Sequence, residues 1–357
     1  MQHGICFPRV QDFRGAQARI NVSNSLRQLI SRSLGYNFLV RAIEIVGLEK
    51  VYQVGFWRKR PKRALNALHL AVEQGEIFGF LGPNGAGKTT TLKMLMGLVF
   101  PTGGSARILD MEMDDPRMKA QIGFLPEQPY FYDYLTAREL LRYYGHLSGV
   151  EPKHLTARVD TVLNQVGLND SRDVQLRKFS KGMLQRAGIA QAILHDPKVV
   201  FLDEPMSGLD PMGRREVRNL IEQLKHDGKT VFFSTHILSD AEALCDRVAI
   251  LNQGTLRGVG AVEELTAGIR GQSEFVWSGT TISPGLTQLG ADCHVAGDTV
   301  RAVVPSDRMD AALDVIKRER LRLISVTPVR TSLEDYFLAQ LTPVPEEAKV
   351  AANGNGG

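Results

Sequence analysis

"IFGFLGPNGAGKTTTLKMLMGLV", residues 77–99, decides the fold. Residues 77–81 are apolar without alternation, short and followed by glycine, which suits a strand covered on both faces. A glycine-rich turn follows, and then an apolar-periodic stretch that reads as a helix. "VVFLD" (199–203) and "TVFFST" (230–235) repeat the unalternating pattern, so all three runs suit central strands of a parallel sheet covered on both faces. Strands alternating with helices give an α/β architecture.

Other stretches attach to that core. "AIEIVGLEKVY" (42–52) and "RALNALHLAV" (63–72) read as two further strands, with "WRKRPKR" (57–63) as a solvated hairpin tip between them; a contact with an anionic partner is the alternative. Residues 136–195 read as helical throughout. Thr136 and Glu139 form a capping-box pattern, and Val159, Val162, Leu163 and Val166 share one helix face for packing. A helical insertion, about 128–195, is thus expected between two core strands. Past residue 268, "SEFVWSG", "TVRAVVP" and "LISVTPV" read as strands, with helices over 307–320 and from 332, making a small α+β unit over 269–342. The tail "PVPEEAKVAANGNGG" (343–357) has a disordered composition.

The first forty residues differ from the rest. Arg9, Arg14, Arg19, Arg27 and Arg32 face one acid, Asp12, a transit-peptide-like balance. An interfacial helix on Leu26, Leu29, Ile30 and Leu34 is a second reading. A dispensable extension, with Val40 as a start site, is the reading preferred. The main folded unit then runs over 41–268.

The 357 residues are 43% hydrophobic and 23% charged, as in a soluble globular protein with a sizeable core. No apolar run approaches the ~20 residues needed to span a bilayer. A net charge of +4 is too mild to demand a nucleic-acid partner. Cys6, Cys245 and Cys293 lack metal-ligand spacing, which makes a reducing compartment the default.

Chemistry concentrates in two motifs. "GPNGAGKTT" (82–90) fits G-x-x-x-x-G-K-[ST] between strand and helix. Gly82, Gly85 and Gly87 let backbone N–H groups close on phosphate oxygens, Lys88 reaches the outer phosphates, and the Thr89 hydroxyl suits Mg²⁺. In "VVFLDEP" (199–205) two acids end an apolar strand, where open α/β sheets bind ligands. Asp203 would hold Mg²⁺, and Glu204 would polarise an attacking water. Together these motifs allow a nucleoside triphosphatase or a kinase.

The order of P-loop, helical insertion, "FSKGMLQR", "FLDEPMSGLDP" and "FFSTH" over about 41–268 resembles the ABC-transporter ATPase family. The resemblance implies a P-loop NTPase with a RecA-like core sheet, an antiparallel β subdomain, the α-helical insertion and a small C-terminal α+β domain. It implies ATP and Mg²⁺ as ligands, bound between two subunits, one giving the P-loop and the other the signature helix.

By that resemblance Tyr52 stacks on adenine. Gly82, Pro83, Asn84, Gly85, Ala86, Gly87, Lys88, Thr89 and Thr90 hold the phosphates. Thr89, Gln128 and Asp203 hold the metal, and Asp210 belongs to the D-loop. Glu204, His236 and Lys88 are catalytic, with His236 sensing the γ-phosphate. Counting back from Leu135–Thr136 puts Glu127, not Gln128, at the usual glutamine position, so both are candidates. Ser180, Lys181 and Gly182 would face the nucleotide of another subunit. Lys181 stands where most members have glycine and Met183 where many have glutamine; the sequence leaves the lysine's role open. "SKGM" and "VTPVRTSLEDYF" look like the ABC-2-type export branch.

The implied partners are a separately encoded transmembrane permease and a second ATPase subunit, at the cytoplasmic face of a membrane, with no nucleic acid. The permease would dock near 128–145, where Tyr130, Phe131, Tyr132 and Tyr134 cluster; a core role for these aromatics is the alternative. A soluble ABC-type ATPase acting on ribosomes or DNA is the rival function, disfavoured by the single P-loop and the lack of inserted zinc modules or coiled coils. A P-loop kinase fails because no acceptor-site motif accompanies the signature helix.

Overall fold

The computed structural model describes residues 40–341, apart from residues 56, 58, 267–271, 330 and 331. The expected N-terminal extension and the tail lie outside the described residues. Strands β1 (Arg41–Val54) and β2 (Arg60–Glu73) form an antiparallel hairpin, with residues 60–63 of the basic run at the start of β2. Strand β3 (Ile77–Leu81) then leads into helix α1 (Lys88–Leu95). β4 (Gly103–Ile108) and β5 (Met111–Glu112) complete a four-stranded antiparallel sheet in the order β2-β1-β4-β5.

Helix α2 (Pro116–Lys119) and strand β6 (Ile122–Leu125) lead into the helical insertion. There α3 (Ala137–Leu147) begins with the expected capping box: Glu139 N–H donates to Thr136 Oγ1 (3.2 Å), and Thr136 N–H donates to Glu139 Oε2 (2.9 Å). Helix α4 (Pro152–Gln165) buries Val159, Val162 and Leu163, and Val166 just beyond it, as packing residues. The insertion is not helical throughout, contrary to the periodicity. Gly167 (φ +65°) stops α4: Gly167 N–H donates to Asn164 O (3.0 Å) and Leu168 N–H to Leu163 O (2.9 Å), a Schellman closure. Short 3-10 turns follow until α5 (Lys181–Ile193) begins.

Strand β7 (Val199–Asp203), helix α6 (Pro211–His226), strand β8 (Thr230–Thr235), helix α7 (Leu238–Leu244) and strands β9 (Arg247–Asn252) and β10 (Thr255–Ala261) finish the central sheet. Its order is β10-β9-β3-β8-β7-β6, parallel except for β10 against β9. Every residue of β3, β7 and β8 is buried, as the unalternating runs require. Alternation divides each strand between two cores. Phe78, Phe80, Phe201 and Phe232 pack toward the antiparallel sheet, while Leu81, Leu202 and Phe233 pack toward the helices.

After α8 (Val262–Leu265), strands β11 (Gln272–Ser278), β12 (Asp292–Ala296), β13 (Thr299–Pro305) and β14 (Arg322–Pro328) form an antiparallel sheet in the order β12-β13-β11-β14. Phe275, Trp277 and Val300 form its core with Leu286 of α9 (Pro284–Gln288) and Ala312, Val315 and Ile316 of α10 (Met309–Arg318). The last helix, α11 (Leu333–Leu341), leaves this unit. Leu333 is buried in the core of the central sheet and its helices, and Tyr336 and Phe337 pack against that core.

Strand β6 lies directly on α5. A Cβ on Gly123 would stand 2.1 Å from the Ala192 carbonyl oxygen, a backbone atom that cannot swing aside. Gly123→Ala is therefore expected to lower the urea midpoint by the equivalent of about 2 kcal/mol with an unchanged m value. An unchanged midpoint would show that strand and helix can part without cost.

Candidate functional site

The P-loop, residues 82–88, joins β3 to α1 at the carboxyl end of the central sheet, where parallel strands leave their ligand crevice. Two glycines make its path possible. A Cβ on Gly82 would stand 2.2 Å from Leu251 O, and one on Gly87, at φ +110°, would stand 2.5 Å from Ala64 O. Gly254 N–H donates to Ala86 O (2.8 Å), bracing the loop from the β9–β10 turn.

An open cleft of about 810 Å³ surrounds the loop. Pro83, Asn84, Gly85, Ala86, Gly87, Lys88, Thr89 and Thr90 form its floor, and Tyr52, Glu127, Glu204 and His236 line it from other elements. Lys50 Nζ lies 5.1 Å from the Tyr52 ring centroid.

The carboxylates sit behind the loop. Lys88 Nζ donates to Gly82 O (2.7 Å) and lies 3.2 Å from Glu204 Oε1, with both side chains buried. His236 Nδ1 is 2.8 Å from Glu204 Oε2. Glu204 Oε1 is buried and, despite the nearby ammonium, has no partner in hydrogen-bond geometry. Glu204 holds φ +51°, a strained value for a residue with a side chain. Its N–H donates to Ser234 O (3.1 Å) and also to Ser234 Oγ (3.2 Å). Ser234 Oγ donates in turn to Asp203 Oδ1 (2.5 Å), which the Thr89 hydroxyl approaches at 3.4 Å. Ser234 thus ties both acids to β8.

Residues 65–207 match the ABC transporter family. An ABC transporter ATP-binding protein of Synechocystis sp. is 44% identical over 301 residues, covering 84% of each chain. The bacitracin transport ATP-binding protein BcrA of Bacillus licheniformis is 38% identical over 284 residues, 78% of this chain and 92% of that one. The dimeric post-hydrolysis state of the ATP-binding cassette MJ0796 bound to ADP and Pi superposes with a TM-score of 0.56 at 25% identity, over 61% of this chain and 98% of that one. The chain belongs to the ABC transporter family. It is an ATP-binding subunit with the P-loop NTPase fold.

The signature residues of this ABC cassette stand apart from its P-loop cleft. Ser180 caps α5, accepting from Met183 N–H (3.3 Å), and Asp210 caps α6, accepting from Gly213 N–H (2.8 Å). Neither lines the cleft, nor do Lys181 and Gly182. Lys181 reaches sideways: a Cβ on Gly208 would stand 2.2 Å from its Nζ. Gln128 is not brought to the site; the chain bends at 127–128, Gln128 Oε1 accepts from the Tyr130 hydroxyl (3.4 Å), and Glu127 occupies the cleft wall.

Three functional candidates escaped sequence reasoning. Lys62 and Arg63, at the end of the basic run, line the cleft rather than only facing solvent. Ser234 is one of three buried hydroxyl residues in the run 230–235, with Thr230 and Thr235, and nothing in the sequence names its partners. Among the described residues no cluster of three His, Cys, Asp or Glu could hold a metal, and Cys245 is buried beneath Gly79, where burial pushes its thiol well up.

Lys88→Ala should weaken binding of a fluorescent ATP analogue roughly 10- to 100-fold, the equivalent of about 1.5–3 kcal/mol for a hydrogen bond to a charged group. An unchanged dissociation constant would remove Lys88 from phosphate recognition.

Proposed function

We propose that this chain hydrolyses ATP as one of two ATPase subunits powering export through a separately encoded permease. The observation that carries hydrolysis is the buried Glu204, oriented by His236, beside Lys88 at the P-loop cleft. Oε1 keeps acceptor capacity there, as a base that takes a proton from water needs. His236 holds the carboxylate through Oε2. The loop N–H groups and Lys88 offer positive charge to phosphate oxygens; positioning and charge stabilisation supply most of the acceleration, without a covalent intermediate.

Thr89 and Asp203 are the residues that would hold Mg²⁺, and their adjacent oxygens suit a hard cation. When bound, the ion would neutralise charge on the phosphates. Tyr52 offers a ring for adenine, and Lys62 and Arg63 add cations at the cleft edge. Gln128 is dropped from the proposed metal set in favour of Glu127 as the cleft-facing residue.

The separation of Ser180, Lys181, Gly182 and Asp210 from this subunit's own P-loop supports a composite site completed by a second copy or a relative. A dimeric cassette is among its structural neighbours. No described helix is long and apolar enough to cross a membrane, which fits a peripheral subunit. Tyr130, Tyr132 and Tyr134 are more than half exposed beside the helical insertion, whereas Phe131 packs against the core. Those three tyrosines are the proposed permease contact. The "SKGM" variant and the likeness to a bacitracin transport protein support export. The permease, rather than any residue here, would select the cargo.

Glu204→Gln tests the assignment. ATP binding should persist, turnover should fall about 10²- to 10⁴-fold, the usual worth of a general base, and an ATP-dependent dimer should appear in light scattering. Wild-type turnover in this variant would take Glu204 out of the mechanism.

A further inference from the structure

The C-terminal helix α11 returns from the accessory sheet to the cassette, and its landing place is next to the histidine. Phe337 lines a cavity of about 290 Å³ together with Gly82, Pro83, Asn84, His236 and Leu238. P-loop, switch histidine and C-terminal helix therefore share one small space. The contacts around it fix α11 on α7, which starts two residues after His236. Leu333 is buried in the cassette core, its N–H donates to Glu242 Oε2 on α7 (3.4 Å), and Leu238 and Phe337 both pack against the same core. Ser332 and Asp335 cap the helix reciprocally: Asp335 N–H donates to Ser332 Oγ (3.1 Å), and Ser332 N–H donates to Asp335 Oδ2 (2.9 Å). On its flank, a Cβ on Gly258 would stand 2.8 Å from the Tyr336 hydroxyl.

We infer that Phe337 is a positioning residue for His236, and that through it the C-terminal unit sets how firmly the histidine holds Glu204. His236 follows the fully buried end of β8, so its backbone is fixed on one side by the sheet. On the other side only Ile237 separates it from α7. That short helix has no side-chain N-cap, so its placement depends on what packs on it. Phe337 supplies a ring at the cavity wall facing that junction. The phosphate loop has supports independent of Phe337: Gly82 packs on Leu251 O, Gly87 on Ala64 O, Gly254 N–H donates to Ala86 O, and Lys88 Nζ donates to Gly82 O. The inference rests on the ATPase reading above and predicts a split between turnover and binding.

The test uses the full chain with its partner permease, comparing wild type, Phe337→Ala and Phe337→Leu. Phe337→Ala should lower kcat at least about five-fold while the Kd for a fluorescent ATP analogue and the KM for ATP stay within about two-fold. Amide exchange over residues 238–244 should accelerate, and Phe337→Leu, which refills most of the space, should restore both. The idea is overturned if kcat in Phe337→Ala stays within two-fold of wild type, if KM rises in step with the fall in kcat, or if Phe337→Leu is as impaired as Phe337→Ala. A wild-type chain that binds but does not hydrolyse ATP would sink the ATPase reading instead. In that event, unchanged exchange over 238–244 would separately overturn the coupling.

Discussion

Three backbones meet at the phosphate loop with no side chain between them. Leu251 O would touch any Cβ on Gly82, and Ala64 O would touch any on Gly87. Ala64 belongs to the antiparallel hairpin and Leu251 to the central sheet, so this contact joins the two layers. Asn66 N–H donates to Gly254 O (2.7 Å), and Gly254 N–H donates to Ala86 O. The loop is thus held in place from outside before any ligand arrives. Such preorganisation lets N–H groups face charge without reorganising when the reaction occurs.

The acids behind the loop depend on a second fixed point, Ser234. Its hydroxyl holds Asp203, and its oxygens hold the Glu204 N–H in a left-handed backbone conformation that costs about 1–3 kcal/mol. Glu204 precedes Pro205, which further restricts its backbone. The strain turns the glutamate away from the path of its strand and toward Lys88 and His236. Leaving the carboxylate buried and only partly satisfied is costly for stability. The Lys88 ammonium 3.2 Å from Oε1 and the His236 ring at Oε2 offset part of that cost.

How far the sequence discloses this depends on the range of each interaction. The unalternating runs at 77–81, 199–203 and 230–235 do become adjacent parallel strands, because full burial leaves a direct compositional trace. Thr136 with Glu139 is legible for a different reason: both partners lie within one helical turn. The closure of α4 at Gly167 was equally local, but the hydrophobic period continued past it and masked the stop. Glu127 and Gln128 are adjacent, and only the bend of the chain decides which enters the cleft. Lys62, Arg63 and Phe337 reach the site through packing between distant segments, and no local pattern encodes that. The C-terminal helix in particular reads as part of the unit that precedes it, since its amphipathic pattern does not specify which core it joins.

Lys181 lies between two segments of this subunit, the start of α5 and the loop before α6. The sequence left two places for its ammonium, a neighbouring subunit's phosphate or water. The structure adds a third, the backbone at Gly208. Gly208 lies in the short loop that starts at Glu204, where Ser207 N–H donates to Glu204 O (3.1 Å), and ends at Asp210, which caps α6. A cation that leans on this loop links the signature helix to the segment carrying the strained glutamate. In a cassette with glycine at position 181 that side-chain link would be absent. Lysine at 181 therefore places a cation beside Gly208 as well as at the helix start, while Ser180 and Gly182 keep the first turn whose N–H groups favour an anion.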